Sequence, residues 1–272
     1  MILDTRFAGS SLFTAVFSDE PAPDVEAAIV VAHPGDETIS ASWVMVRLQE
    51  RANVYCLTQA APGCPSGLRM PPVHMGTVGA AAVAGVPAER CMNLGLRQNQ
   101  LAHDLETLVW LTTAAVTVLQ PRVMVTHACE GHDLDHDATA FAVHMTAKLM
   151  TRAGGVAPVV IEVPRPRGAQ EAVGEDFMTA RQAVRIEFGP GSRKVKRRML
   201  QCHGDELSSI ARCTLQSESY VLATDADPLD GLATAGGAYL NAPWCQVADF
   251  RRNARGVASS LSLALLSSPS RA

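Results

Sequence analysis

The sequence predicts an α/β domain built on a mainly parallel sheet flanked by helices, with an irregular C-terminal elaboration. Three observations carry this. Short β-branched runs alternate with longer segments of helical periodicity from residue 26 to residue 164. The runs are apolar on successive residues, as strands covered on both faces are. Two of them end abruptly in histidine and acidic residues, which packing alone does not select.

The elements follow in order. "EAAIVVAH", Glu26 to His33, reads as a buried strand ending in polar residues. "ETISASWVMVRLQER", Glu37 to Arg51, reads as a helix whose buried face is Ile39, Trp43, Val44, Val46 and Leu48. "NVYCLTQ", Asn53 to Gln59, is the next strand. "CPSGLRMPP", Cys64 to Pro72, is a loop by its proline and glycine content. "HMGTVGAAAVAGV", His74 to Val86, is a small-residue helix despite its glycines. "RCMNLGL", Arg90 to Leu96, is a strand, and "LETLVWLTTAAVTVLQ", Leu105 to Gln120, is a helix stopped by Pro121. "RVMVTHA", Arg122 to Ala128, is a strand, again with a polar end. "DATAFAVHMTAKLM", Asp137 to Met150, is a helix, and "APVVIEVP", Ala157 to Pro164, a fifth strand. The alternation then fades. "RQAVRIEFG", Arg181 to Gly189, reads as a strand and Ser192 to Ala211 as a helix. "ATAGGAYLNAP" is irregular, and Ser259 to Ala272 is either a docked helix or a frayed tail. One domain is expected over residues 1–272, with a core of about 24–165 and the elaboration over about 166–272.

Composition narrows the function classes. The 272 residues are 47% hydrophobic and 18% charged, enough apolar material for a core and too much for global disorder. The formal net charge of −4 argues against a general nucleic-acid or membrane surface. The one basic cluster, Ser192 to Leu200, reads as the solvated face of a helix rather than a phosphate patch. Seven cysteines at irregular spacing, with no CxxC pair, point to a reducing compartment without a disulfide framework. The N-terminus lacks a basic region followed by a continuous apolar stretch, and no apolar segment approaches the ~20 residues of a membrane span. A cytoplasmic protein is the expectation; the oligomeric state stays open.

Ligands in open α/β sheets sit beyond the carboxyl ends of the strands. Two polar clusters fall there: His33-Pro34-Gly35-Asp36-Glu37, and "HACEGHDLDHDATA", His127 to Ala140. Imidazole with carboxylate suits zinc, and a catalytic zinc takes three protein ligands and keeps one open position. His33, Asp36 and one histidine of the second cluster make such a set. Taken singly, His33 is an ordinary loop histidine and Asp36 an ordinary helix cap. Two such clusters, both at strand ends, argue for a site.

These residues resemble a known family. "AHPGDE" is similar to the "AHPDDE" signature of the LmbE/PIG-L family of zinc-dependent N-deacetylases. "EGHDLDHDATAFAVH", Glu130 to His144, resembles that family's second motif, E-G-G-H-P-D-H-D-A. "LTQAAP", Leu57 to Pro62, and "KRRMLQCHGDE", Lys196 to Glu206, are weaker likenesses. The resemblance implies a Rossmann-like fold and hydrolysis of acetamides on amino sugars or related small molecules, such as an N-acyl sugar. It implies His33, Asp36 and His136 as zinc ligands, a general base after the proline of the first motif, and an oxyanion-stabilising histidine in the second.

The chain departs from that pattern at four places. The base position is Gly35, and the oxyanion histidine aligns with Asp133. The aspartate of the "LTDGAP" element is Gln59, and the next helix has no Arg-x-x-Glu. Losing a general base costs a factor of roughly 10² to 10⁴, and a carboxylate repels a developing oxyanion. Two expectations follow: a hydrolase whose base has moved to Asp133 or His132, or a homologue that keeps a metal or sugar-like ligand without turnover. His132 stands four residues before His136, so on one helical turn both would reach a single ion; otherwise it is a loop residue. Glu37 is a further candidate base, though charge at a helix N-terminus is its simpler role. A dinucleotide site is disfavoured, because "GTVGAAAVAG", Gly76 to Gly85, follows no strand. No G-x-S-x-G elbow occurs.

Overall fold

The computed structural model describes residues 5–20, 22–58, 72–131, 133–164, 182–204, 215–223 and 244–266. The strands are β1 (Ala27–Val31), β2 (Ala52–Thr58), β3 (Cys91–Leu96), β4 (Val123–His127), β5 (Val159–Val163), β6 (Ala183–Glu187) and β7 (Ser217–Leu222). The main helices are α1 (Thr5–Phe17), α2 (Asp36–Ser40), α3 (Ser42–Leu48), α4 (Pro72–Ala84), α5 (Leu105–Thr117), α6 (Leu134–Arg152), α7 (Pro190–Gln201) and α8 (Trp244–Leu266).

All seven strands form one sheet in the order β3-β2-β1-β4-β5-β7-β6. The first five are parallel, β7 runs antiparallel to β5, and β6 antiparallel to β7. This is a Rossmann-like α/β fold. Its apolar strands are explained by two core layers. Ala28, Val30 and Ala32 point towards α5, α6 and α8, while Ala27, Ile29 and Val31 point towards α1, α3, α4 and α7. A strand buried on both faces has no polar side to show, hence the unbroken runs.

Four details differ from, or add to, the sequence expectation. The helix expected over residues 37–51 is broken at Ala41 into α2 and α3. The cause is distant: the buried Glu218 carboxylate on β7 accepts the Ser42 and Trp43 backbone N–H groups at 3.1 and 2.9 Å and so caps α3. β7 itself, "SESYVL", and the N-terminal α1 were not expected. In α4 the glycines have a packing reason. A Cβ on Gly76 would stand 3.1 Å from the Cys202 carbonyl oxygen, and one on Gly79 would stand 3.2 Å from the Cys202 Cβ, so both let the end of α7 approach closely. The tail beyond Ser259 is helical to Leu266, and Leu261 is buried in the core. On α7, Lys194, Arg197 and Arg198 are exposed, while Lys196 turns inward. Of the expected loop over residues 64–72, Pro72 instead opens α4; the rest of it, Gln59 and the end of the 192–211 helix lie outside the described residues. None of the described helices is long and apolar enough to cross a membrane.

Candidate metal centre

β1 and β4 are neighbours at the point where the chain's strand order reverses, so a crevice opens beyond their carboxyl ends. The segment after β1 turns sharply there. Gly35 takes φ 106°, a conformation that L side chains rarely adopt, and its carbonyl accepts the Thr38 and Ile39 N–H groups to start α2. Asp36 is thereby folded back onto His33: its Oδ2 accepts the His33 backbone N–H at 2.9 Å.

From β4 the chain reaches α6 through a short turn held by three acids. Asp133 caps the helix, its Oδ1 accepting the Asp135 and His136 N–H groups at 2.9 and 3.2 Å. The Asp137 carboxylate accepts the Glu130 and Gly131 N–H groups. Asp135, almost fully buried, accepts the Asn99 and Leu101 N–H groups at 2.6 and 3.2 Å and meets His33 Nε2 at 3.1 Å. Three acids within five residues thus have three separate jobs.

The result brings His33, Asp36 and His136 together, with one donor atom from each lying within 4.8 Å of the others. Asp36 Oδ2 is 3.3 Å from His33 Nδ1 and 3.2 Å from His136 Nε2. Donors about 2.0–2.1 Å from a tetrahedral zinc stand roughly 3.3–3.4 Å apart, so these residues fit that group. Asp135 on the far nitrogen of His33 is the kind of outer carboxylate that fixes a ligand histidine's tautomer. Of the two candidate bases, Asp133 is the α6 cap, and its Oδ2 has no hydrogen bond among the described residues. His132 lies outside the described residues. Glu37 is fully buried behind Gly35.

The electrostatics follow from this packing. Burial alone would raise the Asp36 carboxyl, but the His136, His33 and His127 imidazoles hold it well below the usual carboxylate range. Burial alone would lower His33, yet its bonds to Asp135 and Asp36 push it up to about 10. His136 is raised, with the Asp36 pairing outweighing burial. These are protons that a metal replaces on binding. His127, a residue the motifs did not single out, behaves oppositely. Burial and the neighbouring His136 hold it far below its ordinary value. Its Nε2 accepts the Ala32 N–H at 3.0 Å, which needs a free lone pair, and its ring stacks on His136 with centroids 3.9 Å apart. The one sequence signal for His127 is its place at the last residue of β4.

The sheet thus carries a half-buried His/Asp cluster at its switch point, of a composition that could hold a metal ion. Residues 28–147, the stretch that holds this cluster, match the family model described as PIG-L: GlcNAc-PI de-N-acetylase. Among solved structures, it is similar to the conserved protein TT1542 of Thermus thermophilus (14% identity, TM-score 0.56, covering 74% of this chain and 96% of that one). A triple mutant of a deacetylase involved in the teicoplanin biosynthetic pathway is similar as well (17% identity, TM-score 0.52, 74% and 100% covered). So is GalB, the 4-carboxy-2-hydroxymuconate hydratase of Pseudomonas putida (13% identity, TM-score 0.51, 74% and 97% covered). At these identities the likeness speaks for the fold. Among curated proteins, none matches the chain significantly in sequence.

Proposed function

We propose that this protein is a zinc-dependent hydrolase acting on the amide of a small N-acyl compound, of the kind an N-acetyl amino sugar presents. The observation that supports this most is the placing of two imidazole nitrogens at 3.3 and 3.2 Å from one Asp36 oxygen, close to the donor spacing of a tetrahedral zinc. In this reading His33 Nδ1, Asp36 Oδ2 and His136 Nε2 are the metal ligands, and Asp135 orients His33. Zinc held there would act as a Lewis acid on an amide carbonyl and make water a better nucleophile. The match of residues 28–147 to the family model described as GlcNAc-PI de-N-acetylase supports an acylated sugar as the substrate class. Asp133, through its Oδ2, or His132 takes the proton that Gly35 cannot.

Zinc titration of the wild type and of His136→Ala, followed by deacetylation of N-acetylglucosamine derivatives, tests this. The wild type should bind about one zinc per chain and turn over an acetamide, and His136→Ala should lose both. Equal zinc binding in the two proteins would sink the ligand assignment.

One observation favours a second reading. Gly35 occupies the base position in a conformation that suits glycine, and Asp133 is already engaged as a cap. Under that reading the chain binds a metal or a sugar-like ligand without turnover. It predicts no hydrolysis of any acetamide, together with a rise in melting temperature on adding zinc or N-acetylglucosamine.

A further inference from the structure

Behind the ligand loop lies a buried pair that the proposed chemistry does not use. Glu37 is fully buried, and its side chain reaches back over the turn, Oε2 accepting the Gly35 N–H at 2.7 Å. Gly35 supplies no side-chain cap of its own, so this bond is what closes the start of α2. The other oxygen, Oε1, accepts the Thr38 hydroxyl at 3.0 Å and faces His203 Nε2 at 3.2 Å. His203 follows the exposed end of α7, and its side chain is buried. Its Nε2 also lies 3.1 Å from the Thr38 hydroxyl oxygen. With the Thr38 hydrogen given to Glu37, an N–H on Nε2 donates to the Thr38 oxygen, and it leaves Nδ1 buried with no hydrogen-bond partner among the described residues. That nitrogen faces α4, where a Cβ on Gly76 would come within 2.6 Å of it. His203 is therefore wedged in one place: glycine on one side, a buried carboxylate on the other.

We propose that His203 is a positioning residue for the metal-ligand loop. It holds Glu37 through the Thr38 hydroxyl and by its own contact at 3.2 Å, Glu37 holds the Gly35 N–H, and the Gly35 turn sets the distance between His33 Nδ1 and Asp36 Oδ2. A buried carboxylate whose donor hydroxyl is no longer held in place must find another partner or move, and any movement of Glu37 releases the turn between two ligands. This rests on the zinc reading above, because it is metal affinity that the spacing serves. It also gives the α4 glycines and the α7 terminus a part in the site, although neither supplies a ligand.

The test is zinc affinity, measured by competition with a chromophoric chelator, alongside melting temperature. His203→Ala should weaken zinc binding about 10- to 100-fold, as loss of an outer-shell support does. His203→Gln, which returns an N–H donor, should lie within about threefold of the wild type. Gly76→Ala offers a second route that does not remove the imidazole. It presses on Nδ1 and should also weaken zinc, although alanine by itself favours a helix. His144→Ala is the control, because it breaks another buried pair, His144 Nε2 with Glu162 Oε1 at 2.8 Å, two turns further along α6. It should lower the melting temperature and leave zinc affinity unchanged. If His203→Ala and Gly76→Ala bind zinc as the wild type does, His203 is merely structural and the inference fails while the zinc reading stands. If the wild type itself takes up no zinc, both fall.

Discussion

Replacing Gly35 by aspartate separates the two functional readings, and the structure sets what to expect from it. The substitution puts a carboxylate at the position where the family resemblance places the general base. It also puts a side chain on a residue at φ 106°, ψ −26°. That lies beyond the ordinary left-handed well near φ +57°, and holding a non-glycine residue in a sparsely populated region costs about 1–3 kcal/mol. At roughly 2–4 °C per kcal/mol for a chain of this size class, the melting temperature should fall by about 2–12 °C. The cost falls on folding, so the rate is to be read per folded, zinc-saturated chain. There, with Asp133 or His132 already taking the proton, the aspartate should add little to acetamide turnover; a chain that only lacks its base should gain about 10², and a binding homologue should stay inactive in both forms. Gly35→Asn carries similar strain without a base; it should match the aspartate variant in melting temperature and gain no rate. The assay is hydrolysis of an N-acetylglucosamine derivative at saturating zinc. An active wild type that Gly35→Asp leaves unchanged would show that the proton acceptor is elsewhere.

Three further outcomes follow. Asp133→Asn keeps a good helix cap but removes the charge; if Asp133 is the base, turnover should fall at least ~10²-fold with little change in melting temperature, whereas Asp133→Ala should also cost about 1 kcal/mol of stability. An Asn variant as active as the wild type would remove Asp133 from the chemistry. In metal-free protein, His33 is pushed up to about 10 by Asp135 and Asp36. Its folded value exceeds its unfolded one, so the stability it contributes is complete below about pH 6.5 and is lost as pH rises towards about 10. Thermal melts in chelator should show that decline, to which the raised His136 also contributes, and His33→Gln should lessen it; identical slopes would refute the pairing. Lys196 is buried against Glu218 at 2.5 Å and also donates to the Ile39 carbonyl at 2.7 Å. Lys196→Met leaves that carboxylate uncompensated, costing about 3–5 kcal/mol, or roughly 6–20 °C in melting temperature. The double variant with Glu218→Gln should be more stable than Lys196→Met alone, and a single variant within about 2 °C of wild type would contradict the burial argument.

Part of this molecule was legible in its sequence because the signals are local. β1 and β4 announce themselves as apolar runs that stop at His33 and His127, and the parallel order follows from the helices between them. His33 and Asp36 stood out because their cluster and a second one both fall at strand ends, and it was the likeness to a family motif that picked His136 out of the second. What was not legible depends on partners far along the chain. The break at Ala41 is invisible in residues 37–51, because the group that caps α3, Glu218, lies 176 residues away from Ser42. β7 was missed for the same reason. Glu218 in "SESYVL" looks like a solvent residue, yet it is buried, with Lys196, Ser42 and Tyr220 donating to it. Asp135 was hidden among three acids that look equivalent until the Asn99 and Leu101 amides select one of them. His127 was masked by the stronger motif beside it.

The glycine that departs from the family pattern is best understood together with Glu37. A residue at φ 106° with no capping side chain needs another group to close the turn, and Glu37 does so from a fully buried position. That carboxylate is in turn committed to Thr38 and His203. It is therefore poorly placed to serve as the substitute base, although it is the nearest acid in sequence. The two tasks of a carboxylate at this loop, shaping the backbone and accepting a proton, fall to different residues. Shaping belongs to Glu37, which is why the proton transfer proposed for this chain is assigned to the α6 side of the cleft. On that side Asp133 alone, among the described residues near His136, combines a carboxylate oxygen free of hydrogen bonds with a backbone fixed by the helix it caps.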